Sequence, residues 1–104
     1  THDSREVNFL AFKEVRDALV SLRENSTAET AQNARVASAQ KALDLSQKRY
    51  EAGYSGYLEV LDAQRTSNEA LLAMIATRQA RLAASVDLFK AIGGGWKDTA
   101  KQAG

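Results

Sequence analysis

The sequence predicts an all-α protein, a long antiparallel helical hairpin of the coiled-coil type. Its 104 residues contain no proline and no cysteine, and 19 of them are alanine. The six glycines fall in only two regions, 53–56 and 93–104. Strong helix formers fill the remaining sequence, a composition that is typical of long helices. We therefore expect two helices that are joined by one short turn.

The first helix is predicted over about residues 4–52, because nothing in that stretch breaks a helix. Apolar residues recur at the seven-residue spacing of a coiled-coil seam, and small residues precede several of them by four positions. These residues are Val15, Leu22, Val36, Leu43 and Tyr50, with Ala11, Ala18 and Ala39 before them. Glu29 interrupts the series, and residues 25–33 are mostly polar, so the seam is expected to be thin there.

A turn is predicted at residues 53–56. Gly53 suits the left-handed position that ends a helix, and the Ser55 hydroxyl is suited to accept a hydrogen bond from the first N–H groups of the next helix. If Gly56 caps that helix instead, Glu59 stands at its third position, near the positive end of the helix dipole. Either arrangement folds the chain back on itself.

The second helix is predicted over about residues 56–92. Two apolar series that lie three residues apart suggest its seam: Leu58, Leu72 and Val86, and Leu61, Ile75, Leu82 and Phe89. Polar members of the same series, Arg65, Asn68 and Gln79, either fix the register or mark a seam that is partly open to water. A glycine-rich exit at 93–96 is expected to end the helix, followed by a flexible tail at 97–104.

Aromatic residues are expected at the end of the hairpin that lies away from the turn. Phe9, Phe12, Phe89 and Trp96 gather there in this arrangement. An apolar surface of that kind usually contacts further protein. Alanine-rich stripes bury little area, so we expect the chain to self-associate or to belong to a larger parent.

Composition excludes several functional classes. With 14 basic and 13 acidic residues that are interspersed, the chain lacks the field that attracts nucleic acid. Without cysteine, and with His2 as its only histidine, it offers no metal site, no cofactor site and no catalytic triad. No apolar run approaches the ~20 residues of a membrane-spanning helix. Because the chain begins with Thr1, we interpret it as a processed chain or an excised fragment, without enzymatic activity.

The turn region carries the candidate functional residues. Glu59 and Asp62 share a helix face, and three interpretations apply: an acid/base pair, carboxylates favoured by the helix dipole, or part of an acidic ring in a pore. Tyr50, Tyr54 and Tyr57 cluster at the same end. Tyrosines suit a protein contact, although Tyr50 and Tyr57 also suit packing against the last layer of the hairpin itself.

The combined motifs resemble the C-terminal repeat of the outer-membrane factor family, the TolC-like channels of tripartite efflux and type I secretion. The resemblance covers residues 5–96 and includes an entry motif at 12–19 and an exit motif at 88–96. Its core consists of Leu43-Asp44-Leu45, Arg49-Tyr50-Glu51-Ala52-Gly53 and Tyr57-Leu58-Glu59-Val60-Leu61-Asp62-Ala63-Gln64-Arg65.

This resemblance implies one hairpin of a periplasmic α-barrel, from a channel that is trimeric and sits in the outer membrane. The exit motif is most similar to the lipoprotein, NodT-like subgroup that works with RND-type pumps for drugs or metals. The implied partners are the hairpin of a periplasmic adaptor (membrane fusion) protein and, indirectly, an inner-membrane pump. The fragment itself is expected to be soluble and to self-associate as a dimer or higher oligomer.

The resemblance also implies roles for residues of the turn region. By position, Glu59 and Asp62 match acidic residues of the channel aperture, and Tyr50 matches a tyrosine of the closed channel's contacts. The implied adaptor-docking turn consists of Gly53, Tyr54, Ser55, Gly56, Tyr57, Leu58 and Leu61. Ser55 stands where TolC carries a basic residue, so the same closing network is not implied in full.

An alternative from another class is a self-contained helical-hairpin interaction protein that forms a homodimer or a four-helix bundle. Small secreted hairpins of this length commonly carry a Trp-x-Gly turn. Here the turn is Gly53-Tyr54-Ser55-Gly56, and the only tryptophan is Trp96. Binding to an adaptor hairpin or a tight homodimer distinguishes the two hypotheses.

Overall fold

Two long α-helices make up the fold. A computed structural model describes the backbone of residues 2–103 and the side chains of residues 5–94. Helix α1 is His2–Glu51, and helix α2 is Tyr57–Ala103. The five residues between them form the turn. The architecture confirms the predicted all-α class, and the first helix and the turn lie within a few residues of their predicted bounds.

The chain divides into two compact units. The terminal unit consists of residues 1–26 and 79–104, and the turn unit consists of residues 27–78. Each unit therefore pairs a segment of α1 with a segment of α2. In the turn unit, contacts that join residue 29 to 78, 49 to 59 and 50 to 57 show that the two segments run antiparallel.

The α1 side of the turn unit uses the predicted seam. Val36 and Ala39 are buried in the core cluster, and Leu43 is partly buried. Ser46 is also buried, and its hydroxyl donates a hydrogen bond to the Leu43 carbonyl at 2.8 Å, so this polar group needs no partner across the seam. The heptad interpretation of α1 is confirmed through this unit.

The α2 side of the turn unit uses a different face from the predicted one. Its buried residues are Val60, Ser67 and Ala70, and Leu71 and Met74 pack against the core cluster. The predicted stripe is exposed instead: Leu58, Leu61, Leu72 and Ile75. The prediction was wrong because it assigned the large apolar residues to the inside. Small residues on both facing stripes allow two helices to pack closely, so alanine and serine occupy the interior.

The terminal unit repeats this arrangement. Ala84 is buried, and Val15, Ala18 and Leu88 are partly buried. The predicted α2 stripe is exposed here as well: Leu82, Val86 and Phe89. Phe9 and Phe12 are also exposed, as the apolar-end hypothesis expected, and Trp96 lies outside the residues whose side chains are described.

The glycine-rich segment does not end α2. The predicted end at residue 92 is wrong, because Gly93 and Gly94 are helical and the element continues to Ala103. Among the glycines, positive φ is recorded only for Gly53. A glycine within a helix costs about 1 kcal/mol relative to alanine, which weakens a helix without forbidding it, and no proline follows to force a stop. The predicted tail at 97–104 lies outside the described side chains.

Candidate interaction site at the turn

The turn is built by a Schellman motif, in which the amides that follow α1 bond back to its last carbonyls. The Tyr54 N–H donates to the Arg49 carbonyl at 2.8 Å, and the Gly53 N–H donates to the Tyr50 carbonyl at 3.0 Å. Gly53 has a φ of 82°, the left-handed conformation that this motif requires. The predicted role of Gly53 is confirmed, and the motif gives residues 53–56 a defined backbone.

Gly56, rather than Ser55, caps the second helix. The Gly56 carbonyl accepts a hydrogen bond from the Glu59 N–H at 3.3 Å, and α2 begins at Tyr57. The Ser55 hydroxyl oxygen is buried and has no hydrogen-bond partner. Its predicted capping role is therefore wrong. Because helix entry falls one residue later, Glu59 stands in the first turn of α2, at the positive end of the dipole.

Two of the three tyrosines contact each other across the turn. The ring centroids of Tyr50 and Tyr57 lie 5.2 Å apart, and the ring planes are tilted by 58°. This distance and tilt are typical of an attractive aromatic pair. Both side chains remain about half exposed, so the pair closes the last layer of the hairpin and still presents ring surface outward.

An apolar surface surrounds this pair. Tyr54 is 82% exposed and Leu58 is 78% exposed, whereas Val60 beside them is 2% exposed. Leu61 is also exposed. Val60 thus anchors the start of α2 in the seam, while Tyr54, Leu58 and Leu61 lie on a surface that is held by a defined turn. We call the segment 49–62 the tip.

Both acidic residues of the tip have a cationic neighbour in the same chain. The Arg49 Nε lies 3.6 Å from a Glu59 carboxylate oxygen, which joins α1 to α2. The Arg65 guanidinium donates a hydrogen bond to Asp62 at 2.7 Å and lies 3.8 Å from Glu69. These groups are exposed, so each pair contributes little stability on its own.

Arg65 remains a cation at any pH at which the protein folds. The hydrogen bond to Asp62, together with the charges of Asp62 and Glu69, raises the pKa of the Arg65 guanidinium above its ordinary value. The acid/base interpretation of Glu59 and Asp62 gains no support from this geometry, because both carboxylates lie on an exposed surface beside cations rather than in a cleft.

Sequence reasoning missed the roles of Arg49 and Arg65. The three-residue spacing of Asp62 and Arg65 on one helix carried a usable signal for that pair. The Arg49 to Glu59 contact depends on the antiparallel register, and the sequence fixes that register only through the turn. Within residues 5–94, no group of three or more histidine, cysteine, aspartate or glutamate side chains is arranged to hold a metal ion.

Comparison with known proteins gives a consistent result. A family profile described as "Outer membrane efflux protein" matches residues 2–94. The outer membrane protein OprJ of Pseudomonas aeruginosa is 43% identical over 88 residues, which cover 85% of this chain and 18% of OprJ. The pyoverdine export outer membrane protein OpmQ of the same species is 54% identical over 59 residues, which cover 57% of this chain and 12% of OpmQ.

A relative from another genus agrees. The cation efflux system protein CusC of Escherichia coli is 37% identical over 87 residues, which cover 84% of this chain and 19% of CusC. The chain thus spans less than a fifth of the length of these curated relatives. No solved structure matches it. In the part of the chain that the structure describes, no helix is long and apolar enough to cross a membrane.

Proposed function

This chain belongs to the outer membrane efflux protein family, and from that premise we propose that it forms a periplasmic α-helical hairpin of an outer membrane efflux channel, with the tip as its contact site. The family consists of transport channels rather than enzymes. Relatives named for pyoverdine export and for cation efflux support export as the process, in a tripartite, RND-type system for drugs or metals.

The observation that carries the proposal is an apolar surface on a rigid turn. Tyr54 and Leu58 are exposed at positions that the Schellman motif holds in place. A preformed backbone lowers the entropy cost of binding, and exposed aromatic and aliphatic side chains supply the contact area. We assign adaptor docking to this surface, in the segment from Gly53 to Leu61. Its occupant is the helical hairpin of a periplasmic adaptor.

The second part of the proposal concerns the channel aperture. Glu59 and Asp62 lie on one face of α2 and supply carboxylates to a narrow opening when several copies surround an axis. Arg49 and Arg65 lie beside them and reduce the net charge that each copy brings. In a trimeric channel that contains this hairpin, Glu59→Gln/Asp62→Asn is expected to lower cation over anion preference in single-channel recordings. An unchanged preference contradicts the aperture assignment.

The third part concerns packing in the channel wall. Leu58, Leu61, Leu72 and Ile75 form an exposed stripe with coiled-coil spacing. A stripe of this kind fits another helix, and we assign it to a neighbouring copy of the hairpin. Tyr50, which is half exposed, is assigned to the contact with the neighbouring coil in the closed channel.

Binding to a panel of purified adaptor hairpins at low salt tests the proposed docking site. Leu58→Ala is expected to weaken binding by about tenfold or more, as truncation of a central apolar contact does. Leu45→Ala is the matched control, because Leu45 is 59% exposed on α1 outside the tip, and it is expected to change binding little. Gly53→Pro is expected to abolish binding, since proline cannot adopt a φ of 82°.

Charge reversal completes the test. Glu59→Lys/Asp62→Lys is expected to weaken binding if the acidic face takes part in docking. Equal binding by Leu58→Ala and Leu45→Ala contradicts the docking site. Failure to bind any adaptor, together with a tight homodimer in sedimentation experiments, supports the self-contained hairpin instead.

A further inference from the structure

The middle of the turn unit contains a charged residue at a seam position. Glu29 lies seven residues before Val36 on the α1 seam, and its side chain is only 16% exposed. Its carboxylate oxygen lies 3.9 Å from the Nε of Arg78 on α2. The pair therefore connects the two helices where the sequence predicted only a thin seam.

Further polar groups surround this pair. Gln32 lies one turn after Glu29, and its carbonyl oxygen is buried without a hydrogen-bond partner. Thr77, next to Arg78, is partly buried and donates its hydroxyl to the Ala73 carbonyl at 2.9 Å. We call Glu29, Gln32, Thr77 and Arg78 the polar layer. It contributes little apolar burial, so its presence in the seam calls for another explanation.

The apolar layers of the seam discriminate poorly between registers. Ala39 and Ala70 belong to the same core cluster. A shift of α2 by seven residues would replace Ala70 with Ala63 opposite Ala39, which is alanine for alanine. A longer loop at the turn adds only a few tenths of a kcal/mol through chain entropy. Packing therefore gives a weak preference for the native register.

The polar layer discriminates strongly between the same registers. The shift that brings Ala63 opposite Ala39 also brings Leu71 to the place of Arg78. A carboxylate that is largely removed from water would then face a leucine rather than a guanidinium, which is costly. Polar residues at seam positions are known to specify register in coiled coils, at some cost in stability.

We propose that the Glu29 to Arg78 pair fixes the register of the two helices and thereby keeps the distant turn formed. A shift by one heptad lengthens the loop by seven residues, which removes the Tyr54 to Arg49 and Gly53 to Tyr50 hydrogen bonds. Glu29 and Arg78 are thus positioning residues for the tip. This inference concerns the chain alone and does not depend on the proposed transport function.

Disulfide trapping in the full chain tests the inference, because the protein has no cysteine of its own. The pair Ala39→Cys/Ala70→Cys reports the native register, and Ala39→Cys/Ala63→Cys reports the shifted one. Each pair is oxidised with copper phenanthroline at low protein concentration, and the intramolecular cross-linked fraction is measured. Circular dichroism and urea unfolding are recorded for every variant.

In the Glu29→Leu background, the shifted cross-link is expected to increase by about fivefold or more, while the resistance to urea is unchanged or higher. A purely structural role of Glu29 would not separate register from stability in this way. The matched control is Glu24→Leu, the same change at an exposed α1 position, and it is expected to leave both cross-links unchanged. The charge exchange Glu29→Arg/Arg78→Glu is expected to restore the native register.

Two results would overturn the inference. In one, the shifted cross-link in Glu29→Leu and in Glu29→Leu/Arg78→Leu stays at the level of the unsubstituted background. In the other, Glu29→Leu loses helicity together with the native cross-link, which would make Glu29 a residue needed for folding rather than for register.

Discussion

Substitutions on the two faces of α2 are expected to have effects opposite to those that residue size suggests. Ala70 is 0% exposed and packs with Val36 and Ala39, so Ala70→Leu adds three carbon atoms where the helices are close together. Overpacking of this kind costs about 1–3 kcal/mol in the free energy of unfolding. The substitution is expected to destabilise the chain although leucine is the better coiled-coil residue.

Leu72→Ala is the converse change on the outer face. Leu72 is 68% exposed, so only about a third of its side chain is buried by the hairpin. Full burial of a leucine contributes about 1.5–3 kcal/mol, and the expected loss is therefore about 1 kcal/mol or less. If the leucine stripe were the seam, truncation would instead cost about 2–5 kcal/mol, and Ala70→Leu would be harmless.

Urea unfolding followed by circular dichroism at 222 nm measures both free energies. The titrations are repeated over a range of protein concentrations, because Leu72→Ala is also expected to weaken self-association, and that contribution depends on concentration. At the lowest concentration, Ala70→Leu is expected to unfold at lower urea than Leu72→Ala. The reverse order would refute the assignment of the alanine face to the interior.

Three further changes test the turn and the seam by the same unfolding measurement. Gly53→Ala is expected to destabilise by about 1–2 kcal/mol, because alanine is strained at a φ of 82°, whereas Gly93→Ala in open space within α2 is expected to stabilise by about 0.5–1 kcal/mol; equal effects would contradict the backbone argument. A double-mutant cycle of Tyr50→Ala and Tyr57→Ala is expected to give a coupling of about 0.5–1.5 kcal/mol, and a coupling of zero would mean that the ring contact contributes nothing. Val60→Ala is expected to cost at least about 1.5 kcal/mol, since Val60 is 2% exposed and loses two buried methyl groups; a cost below about 0.5 kcal/mol would place it outside the core.

The sequence was most informative about α1 and the end of that helix. Val36, Ala39 and Leu43 lie on one heptad face, and no competing apolar face of α1 is as regular, so the pattern identified the inner side. Gly53 was identifiable because a single glycine at the end of a long helical pattern has few other uses. In both places, local chemistry and packing favour the same structure.

On α2 the sequence was ambiguous, because the helix carries two heptad faces. One contains Leu58, Leu72 and Val86, and the other contains Val60, Ser67 and Ala70. Hydrophobicity alone selects the first. Closeness of approach decides for the second, and that property depends on the small residues of the facing helix, Ala39 and Ser46, rather than on α2 itself.

The same limit applies to the tip. The positions of Glu59 and Asp62 on one helix face followed from their spacing. Their neutralisation by Arg49 and Arg65 did not follow as readily, because the Arg49 contact needs the antiparallel register. The exposure of Tyr54 and Leu58 follows from the Schellman backbone, which a list of residues does not provide.

The distribution of residue sizes on α2 bears on what the hairpin is for. A helix whose small residues face its covalent partner and whose large residues face outward has most of its unburied apolar area on the outside. Because apolar burial is the main source of association free energy, such a hairpin gains more from contact with neighbours than from its own seam. The weak inner seam then needs a separate means of holding its register, which the Glu29 to Arg78 pair supplies. Wall-forming packing outside and a charged register pin inside are thus two consequences of one arrangement of alanine and leucine.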